Sequence, residues 1–308
     1  MTGTLEEILE ELCEEVSLIL ASSSLEEALV NKPGNASRRK DIRSVTYISV
    51  QQSSLYLSSI YKKACVMGYA GRGKPIFSLL DPARFSSIFG RGFALFGTAI
   101  TLLPVSFAAI QVSSIDELMG KLKSLVLLLD EKEGEAFILS LRSMNPSYKG
   151  RLTGDMDIGS IEGKTLREIL LYSSNFDEVA RNIVHGYYLT YLGYNAIKEQ
   201  KCDSFELNVR RAFFKVLSSQ PDTLIMKKYG AHVSIEISKM ASHMSECPSC
   251  EEIENMDKYM TENGFNPGST ADIIASSIAF YHLERWFRDK AIDGIRLPLP
   301  KGCDRAGK

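Results

Sequence analysis

The chain has 308 residues, 44% of them hydrophobic and 24% charged, which suits a soluble globular protein with a sizeable core. Its net charge of −2 provides no basic surface for nucleic acid or an anionic membrane, so any phosphate it binds must be held by a few local groups. The six cysteines (13, 65, 202, 247, 250 and 303) are too scattered to suggest a disulfide framework and point to a reducing, cytoplasmic setting.

In chain order, helical periodicity dominates. Leu5, Ile8, Leu9, Leu12, Val16 and Ile19 form a stripe over Thr4 to Ser22, with glutamates opposite, the reverse of a signal peptide. A second short helix from Ser24 ends at the turn Lys32-Pro33-Gly34-Asn35. Ser44 to Tyr69 is helical and closes at Gly68 with Gly71-Arg72-Gly73. Arg84 to Val112 reads as one apolar helix kinked at Pro104; its Gly92 to Val112 portion carries no charge. Pro104, Gly97, Thr98 and Thr101 interrupt that stretch, so burial in the centre of a helical bundle suits it better than a bilayer. Ser114 to Leu129 and Glu131 to Met144 follow as shorter helices.

Asn145 to Lys164 shows no apolar periodicity and reads as a loop, of the kind that closes over ligands or stays disordered. Helices resume at Thr165 to Tyr172, Asp177 to Glu199, Ser204 to Leu217, Asp222 to His243 and Glu251 to Glu262. The last helix, from near Thr270 to near Ala291, opens at a second Pro-Gly turn, Asn266-Pro267-Gly268-Ser269-Thr270-Ala271-Asp272. There Ser269 reads as the N-cap, with Asp272 three residues on. With no strand pattern, the expected fold is all-α: a single large bundle of about ten helices around a buried apolar helix, spanning residues 1–293, with 294–308 as a tail.

The chemistry-bearing residues are few. Cys247-Pro248-Ser249-Cys250 has C-x-x-C spacing, with His243 four residues before it, but no second pair completes a zinc site. It reads as an incidental surface pair or a loop disulfide. Walker A, G-x-S-x-G and G-x-G-x-x-G patterns are absent. What remains is a set of polar residues at element ends. Lys32, Gly34 and Asn35 flank one turn, and Asn266, Gly268, Ser269, Thr270 and Asp272 flank the other. Asp177 and Arg181 stand at i, i+4, and Asp222 opens a helix ahead of Lys227 and Lys228. Carboxylates, lysines and turn amides of this kind suit a nucleoside triphosphate with magnesium.

Five segments in order carry a resemblance: Lys32-Pro33-Gly34-Asn35 with Glu27 before it; Gly97-Thr98 with Leu102-Leu103-Pro104; Phe176-Asp177-Glu178-Val179-Ala180-Arg181; Pro221 to Gly230; and Asn266 to Asp272. In these the chain resembles the triphosphoribosyl-dephospho-CoA synthase family, in its archaeal and methylotroph-type branch. The resemblance implies an all-α fold and a transferase that joins ATP to 3′-dephospho-CoA with release of adenine. It also implies Mg²⁺, with ATP and a CoA-like or other phosphorylated small molecule as ligands, and is compatible with a homodimer. By analogy Asp177, Asp222 and Asp272 take acid/base or magnesium roles. Lys32, Gly34, Asn35, Thr98, Arg181, Lys227, Lys228, Asn266, Gly268, Ser269 and Thr270 would contact the ligand. The chain also departs from the family. The citrate-lyase branch has Asn-Thr-His-Lys-Gly where this sequence reads Phe96-Gly97-Thr98-Ala99-Ile100, and Arg38-Arg39-Lys40-Asp41 replaces an aromatic-acidic pair. Rival readings are an ATP- or phosphometabolite-binding enzyme of another cofactor pathway and a non-catalytic nucleotide-binding helical protein.

Overall fold

The computed structural model describes residues 4–42, 45–71, 74–144 and 163–292. Over these residues the chain forms fourteen α-helices, one short 3-10 turn at Ile76–Leu79 and no strand. The only pairings of extended backbone among them are isolated bridges, Ser37 with Lys40 and Ile42 with Val45. The loop expected at Asn145 to Lys164 falls almost wholly outside the described residues, as does the tail.

Helices α1 (Leu5–Leu29), α2 (Tyr47–Ala70) and α4 (Phe96–Ala109) pack on one another. The break expected after Ser22 does not occur. Ser22 and Ser23 each donate to the Ile19 carbonyl, at 3.1 and 2.7 Å, and Ser24 donates to that of Leu20 at 3.4 Å. Their polar groups are thereby satisfied within the helix, which runs on to Leu29. The long apolar helix expected over Arg84 to Val112 is instead two, α3 (Pro82–Phe89) and α4, parted at Gly90, whose φ of 64° stops α3. In α4 every residue from Thr98 to Ala109 is buried, as its apolar sequence requires, Pro104 included. No helix among the described residues is long and apolar enough to cross a membrane.

Helices α5 (Ile115–Val126), α6 (Glu131–Ser143) and α7 (Leu166–Ser173) join the first core. The helix expected over Asp177 to Glu199 divides into α8 (Glu178–Val184) and α9 (Tyr188–Lys198), because Gly186 and Tyr187 take φ values of 74° and 62°. The one expected over Asp222 to His243 likewise divides at Gly230, φ 92°, into α11 (Thr223–Tyr229) and α12 (Ala231–Ser242). Helix α8 joins the first core through Val179, Ala180 and Ile183, whereas α9, α11 and α12 build a second core with α10 (Phe205–Ser219) and α13 (Cys250–Asn263). Helix α14 (Gly268–Ile292) enters both: Ile273, Ile274 and Ile278 belong to the second core, and Phe280, Leu283 and Phe287 to the first.

The cysteine reading needs correction. Cys13 and Cys65, both buried, are joined across α1 and α2, and Cys202 is joined to Cys247. Separations of 52 and 45 residues hid these pairs in the sequence, whereas packing brings the Cα atoms to 5.5 and 5.6 Å. Cys247 therefore does not pair with Cys250, which is free and exposed.

Candidate active site

The two Pro-Gly turns lie side by side. Gly34 has φ 75°, and its N–H donates to Asp257 Oδ1 at 2.9 Å. A Cβ at this position would fall 2.5 Å from the Phe265 carbonyl oxygen, so only glycine lets the first turn seat against the second. Asn35 Nδ2 then donates to Asn266 Oδ1 at 3.0 Å and to the Pro267 carbonyl at 3.3 Å. Beside these turns opens a cavity of about 330 Å³ between the starts of α4, α8 and α14.

Three aspartates organise those helix starts. Asp177 caps α8 by accepting from the Ala180 N–H at 3.0 Å, and its other oxygen takes Lys227 Nζ at 2.6 Å. Asp222 caps two helices at once. Its Oδ1 accepts from the Leu224 and Ile225 amides of α11, at 2.9 and 3.0 Å. Its Oδ2 accepts from the Thr270 amide and hydroxyl of α14, at 2.8 and 3.0 Å. Asp272 serves α4, whose own N-cap Leu95 offers no side-chain acceptor. Asp272 Oδ1 accepts from Thr98 Oγ1 at 2.5 Å, and the Thr98 backbone also holds the carboxyl. A Cβ on Gly97 would lie 2.0 Å from Asp272 Oδ2, so this docking requires the glycine.

This corrects the reading of Ser269 as a cap. Helix α14 begins at Gly268, and the Ser269 hydroxyl lies 3.1 Å from that of Thr223 while Asp222 does the capping. Asp272 is a cap too, but for a helix from elsewhere in the chain.

Of the residues singled out in the sequence, Asn35, Thr98, Asp177, Lys227, Asn266, Gly268, Ser269 and Asp272 line the cavity. Lys32 does not. It is fully buried, and its ammonium meets the Glu27 carboxylate at 2.9 Å, the Val30 carbonyl at 2.9 Å and the Glu27 carbonyl. Ion-paired and without exposed surface, that ammonium cannot reach a phosphate in the cavity. The Gly34 amide is committed to Asp257, and that of Asn35 to the Lys32 carbonyl at 3.2 Å. Arg181 forms no pair with Asp177. Its guanidinium ties down the α7–α8 connection, donating to the Ser174 carbonyl at 2.7 Å, to Gln220 Oε1 at 2.7 Å and to the Asn175 carbonyl at 3.2 Å. Lys228 is exposed away from the cavity, and Thr270 and Asp222 are buried behind its wall.

Other lining residues were not proposed as site residues, Glu27 and Phe137 among them. Glu27 was visible only as an acid five positions before Lys32, and Phe137 only as part of the helix expected over Glu131 to Met144. With Phe96, Leu141, Met144 and Ile169, Phe137 makes one part of the wall apolar.

The electrostatics follow from depth. Burial raises the Asp272 carboxyl to about 7; the Thr98 hydroxyl opposes the shift and the charge of Glu27 adds to it. Asp272 lies deep in the fold, and its remaining accessibility is toward the cavity it lines. Burial likewise raises Asp222, against the amides that hydrogen-bond to it. Glu178 is raised well above the usual carboxylate range by burial and by its neighbours Asp222 and Asp177.

The donor set does not fit a magnesium ion held by Asp177, Asp222 and Asp272. Both Asp222 oxygens are spent on helix amides and the Thr270 hydroxyl, and Asp177 bridges an amide and Lys227. No group of three or more His, Cys, Asp or Glu among the described residues could hold a metal ion. An anion is better served. The N-terminal ends of the long helices α4 and α14 face the cavity, and Lys227 stands at its edge. The Lys227–Asp177 pair is partly exposed, so Lys227→Met should change stability by less than about 1 kcal/mol. An anion held at the cavity edge would meet Lys227, so the same variant should weaken its binding several-fold, which calorimetry will show.

The model of the family ATP:dephospho-CoA triphosphoribosyl transferase matches residues 13–291. Among solved structures, the chain is similar to that of an Archaeoglobus fulgidus protein named as a candidate triphosphoribosyl-dephospho-CoA synthase. The TM-score is 0.57 at 19% identity, over 74% of this chain and 98% of the other, a likeness of fold. No curated protein sequence matches the chain.

Proposed function

The chain belongs to the ATP:dephospho-CoA triphosphoribosyl transferase family, and from that premise we propose how its cavity transfers the triphosphoribosyl group of ATP to 3′-dephospho-CoA. In this reaction the ribose 2′-hydroxyl of dephospho-CoA displaces adenine at C1′ of ATP. The transition state resembles an oxocarbenium ion, positive at the sugar and negative on the departing base. Three demands follow: an acid for the leaving adenine, an acceptor for the hydroxyl proton and donors for the triphosphate.

The observation that carries the reading is Asp272, a cavity carboxyl raised to about 7 at the junction of two helix starts. Such a group still holds a proton near neutrality and can give it to adenine as the C1′–N9 bond breaks. The ends of α4 and α14 and Lys227 are the groups placed for phosphate, with Asn35, Asn266, Ser269 and Thr98 as polar contacts. Because the carboxylates form no cage, magnesium belongs to this reading as part of the nucleotide substrate.

The test is direct. Purified protein given ATP and dephospho-CoA releases adenine, seen by chromatography, and releases none with either substrate alone. Binding of ATP without adenine release would sink the reading. The pH dependence has a defined sign: the competent acid is the protonated form, so kcat falls as pH rises through about 7. A rate that instead rose through that range would make Asp272 a base.

A further inference from the structure

Asp272 supplies one of the two proton carriers the reaction needs, and the cavity wall holds a second carboxylate of different character. Glu27, near the end of α1, lines the same cavity, and its charge is felt at Asp272. Its partner is Lys32, wholly enclosed, whose ammonium forms an ion pair with Glu27 Oε1 at 2.9 Å and donates to the Glu27 and Val30 carbonyls. A lysine is seldom buried without a reason, since taking an ammonium out of water costs several kcal/mol unless it is paired and hydrogen-bonded. Here the two side chains form a buried ion pair at 2.9 Å. The pair runs through Oε1, while Glu27 as a whole lines the cavity. Among the described residues Asp272 forms no ion pair; its contacts are the hydroxyl and backbone of Thr98. Two carboxyl groups in one cavity, one ion-paired and one not, are divided in the way that assigns base and acid.

We infer that Glu27 is the second catalytic carboxylate, taking the proton of the attacking ribose 2′-hydroxyl while Lys32 serves as its fixed counter-ion. The inference rests on the transferase reading above. The hydroxyl oxygen forms a bond to C1′ of ATP and its proton passes to Glu27. The C1′–N9 electron pair leaves with adenine, whose nitrogen takes the proton of Asp272. The products are the triphosphoribosyl glycoside of dephospho-CoA and neutral adenine, with Glu27 protonated and Asp272 ionised; solvent then returns both to their starting forms. Before proton transfer, the negative Glu27 also lowers the energy of the positive sugar.

Two variants of the full chain test this. Glu27→Asp keeps a carboxylate for Lys32 but withdraws it from the cavity by one methylene. Glu27→Gln combined with Lys32→Met removes both charges, so that no unpaired ammonium stays buried. The expected result for both is a melting temperature close to wild type, an unchanged thermal shift with ATP and a kcat at least ~100-fold lower with little change in KM. A structural role predicts the opposite, that the double variant, once folded, works at the wild-type rate. That outcome overturns the inference and leaves the transferase reading standing. Wild-type protein that binds ATP but releases no adenine with dephospho-CoA overturns both.

Discussion

Replacing Asp272 with asparagine is expected to lower kcat by roughly 10²–10⁴-fold while leaving the fold intact. The structure separates the two duties of this residue. As the cap of α4 it needs only an oxygen that accepts from Thr98, and an asparagine Oδ1 provides that at the same length. As an acid it needs a proton it can lose, which asparagine lacks. Asp272→Asn should therefore melt close to wild type, keep its shift with ATP and fail to release adenine. A second readout follows from linkage. The folded protein holds the Asp272 proton up to about pH 7, whereas the unfolded chain loses it near 3.8. Between those values the folded state binds more protons, so this group's contribution to stability is full below the window and is lost as pH rises through it. The asparagine variant should lack that component of the pH–stability profile. An Asp272→Asn enzyme within a few-fold of wild type would show that the carboxyl is only a cap.

Asp222→Ala is expected to act in the other direction, on stability first. One carboxylate accepts four hydrogen bonds and closes the starts of α11 and α14 together. Alanine leaves three amides and the Thr270 hydroxyl without their acceptor, two helix caps being lost in one substitution. At about 1 kcal/mol per cap, with a further cost for donors left buried, the loss is roughly 3–5 kcal/mol. Asp222→Asn keeps one oxygen as acceptor and should lose less. Urea unfolding would measure both. Because α14 carries Asp272, activity should fall along with stability rather than separately from it. An Asp222→Ala protein as stable as wild type but inactive would restore Asp222 as a chemical residue.

These two aspartates show how far the sequence could be read. Each was marked by its place at the start of an expected helix, and each is a cap. Asp222 caps its own helix and a second one, whereas Asp272 caps neither its own helix nor any neighbour in sequence. A capping motif can be read locally when donor and acceptor lie within one turn. It is invisible when they are separated by 48 residues, as for Asp222 and Thr270, or by 174, as for Thr98 and Asp272. The same limit misled the reading of Lys32. A lysine beside a Pro-Gly turn suggests a phosphate ligand, yet its stem turns inward to Glu27, and no pattern in five residues tells which way a flexible chain will point. Arg181 was paired on spacing with Asp177, but backbone carbonyls left open between α7 and α8 hold it instead.

The all-α fold was settled by the chain itself. Stripes of leucine, isoleucine and valine at helical spacing leave no other way to bury them, and glycines at 90, 186 and 230 only decide where long helices divide. The two Pro-Gly turns also announced themselves, since proline and glycine impose their backbone angles locally. Tertiary structure decided the rest: that the turns dock on each other, that Cys13 finds Cys65 and Cys202 finds Cys247, and which carboxyls face the cavity. It also raised Asp272 to about 7, because a pKa depends on how much water and which charges surround the group. Periodicity and turn chemistry act over a few residues and are written in the sequence. Burial and charge pairing act through space and exist only once the helices have packed.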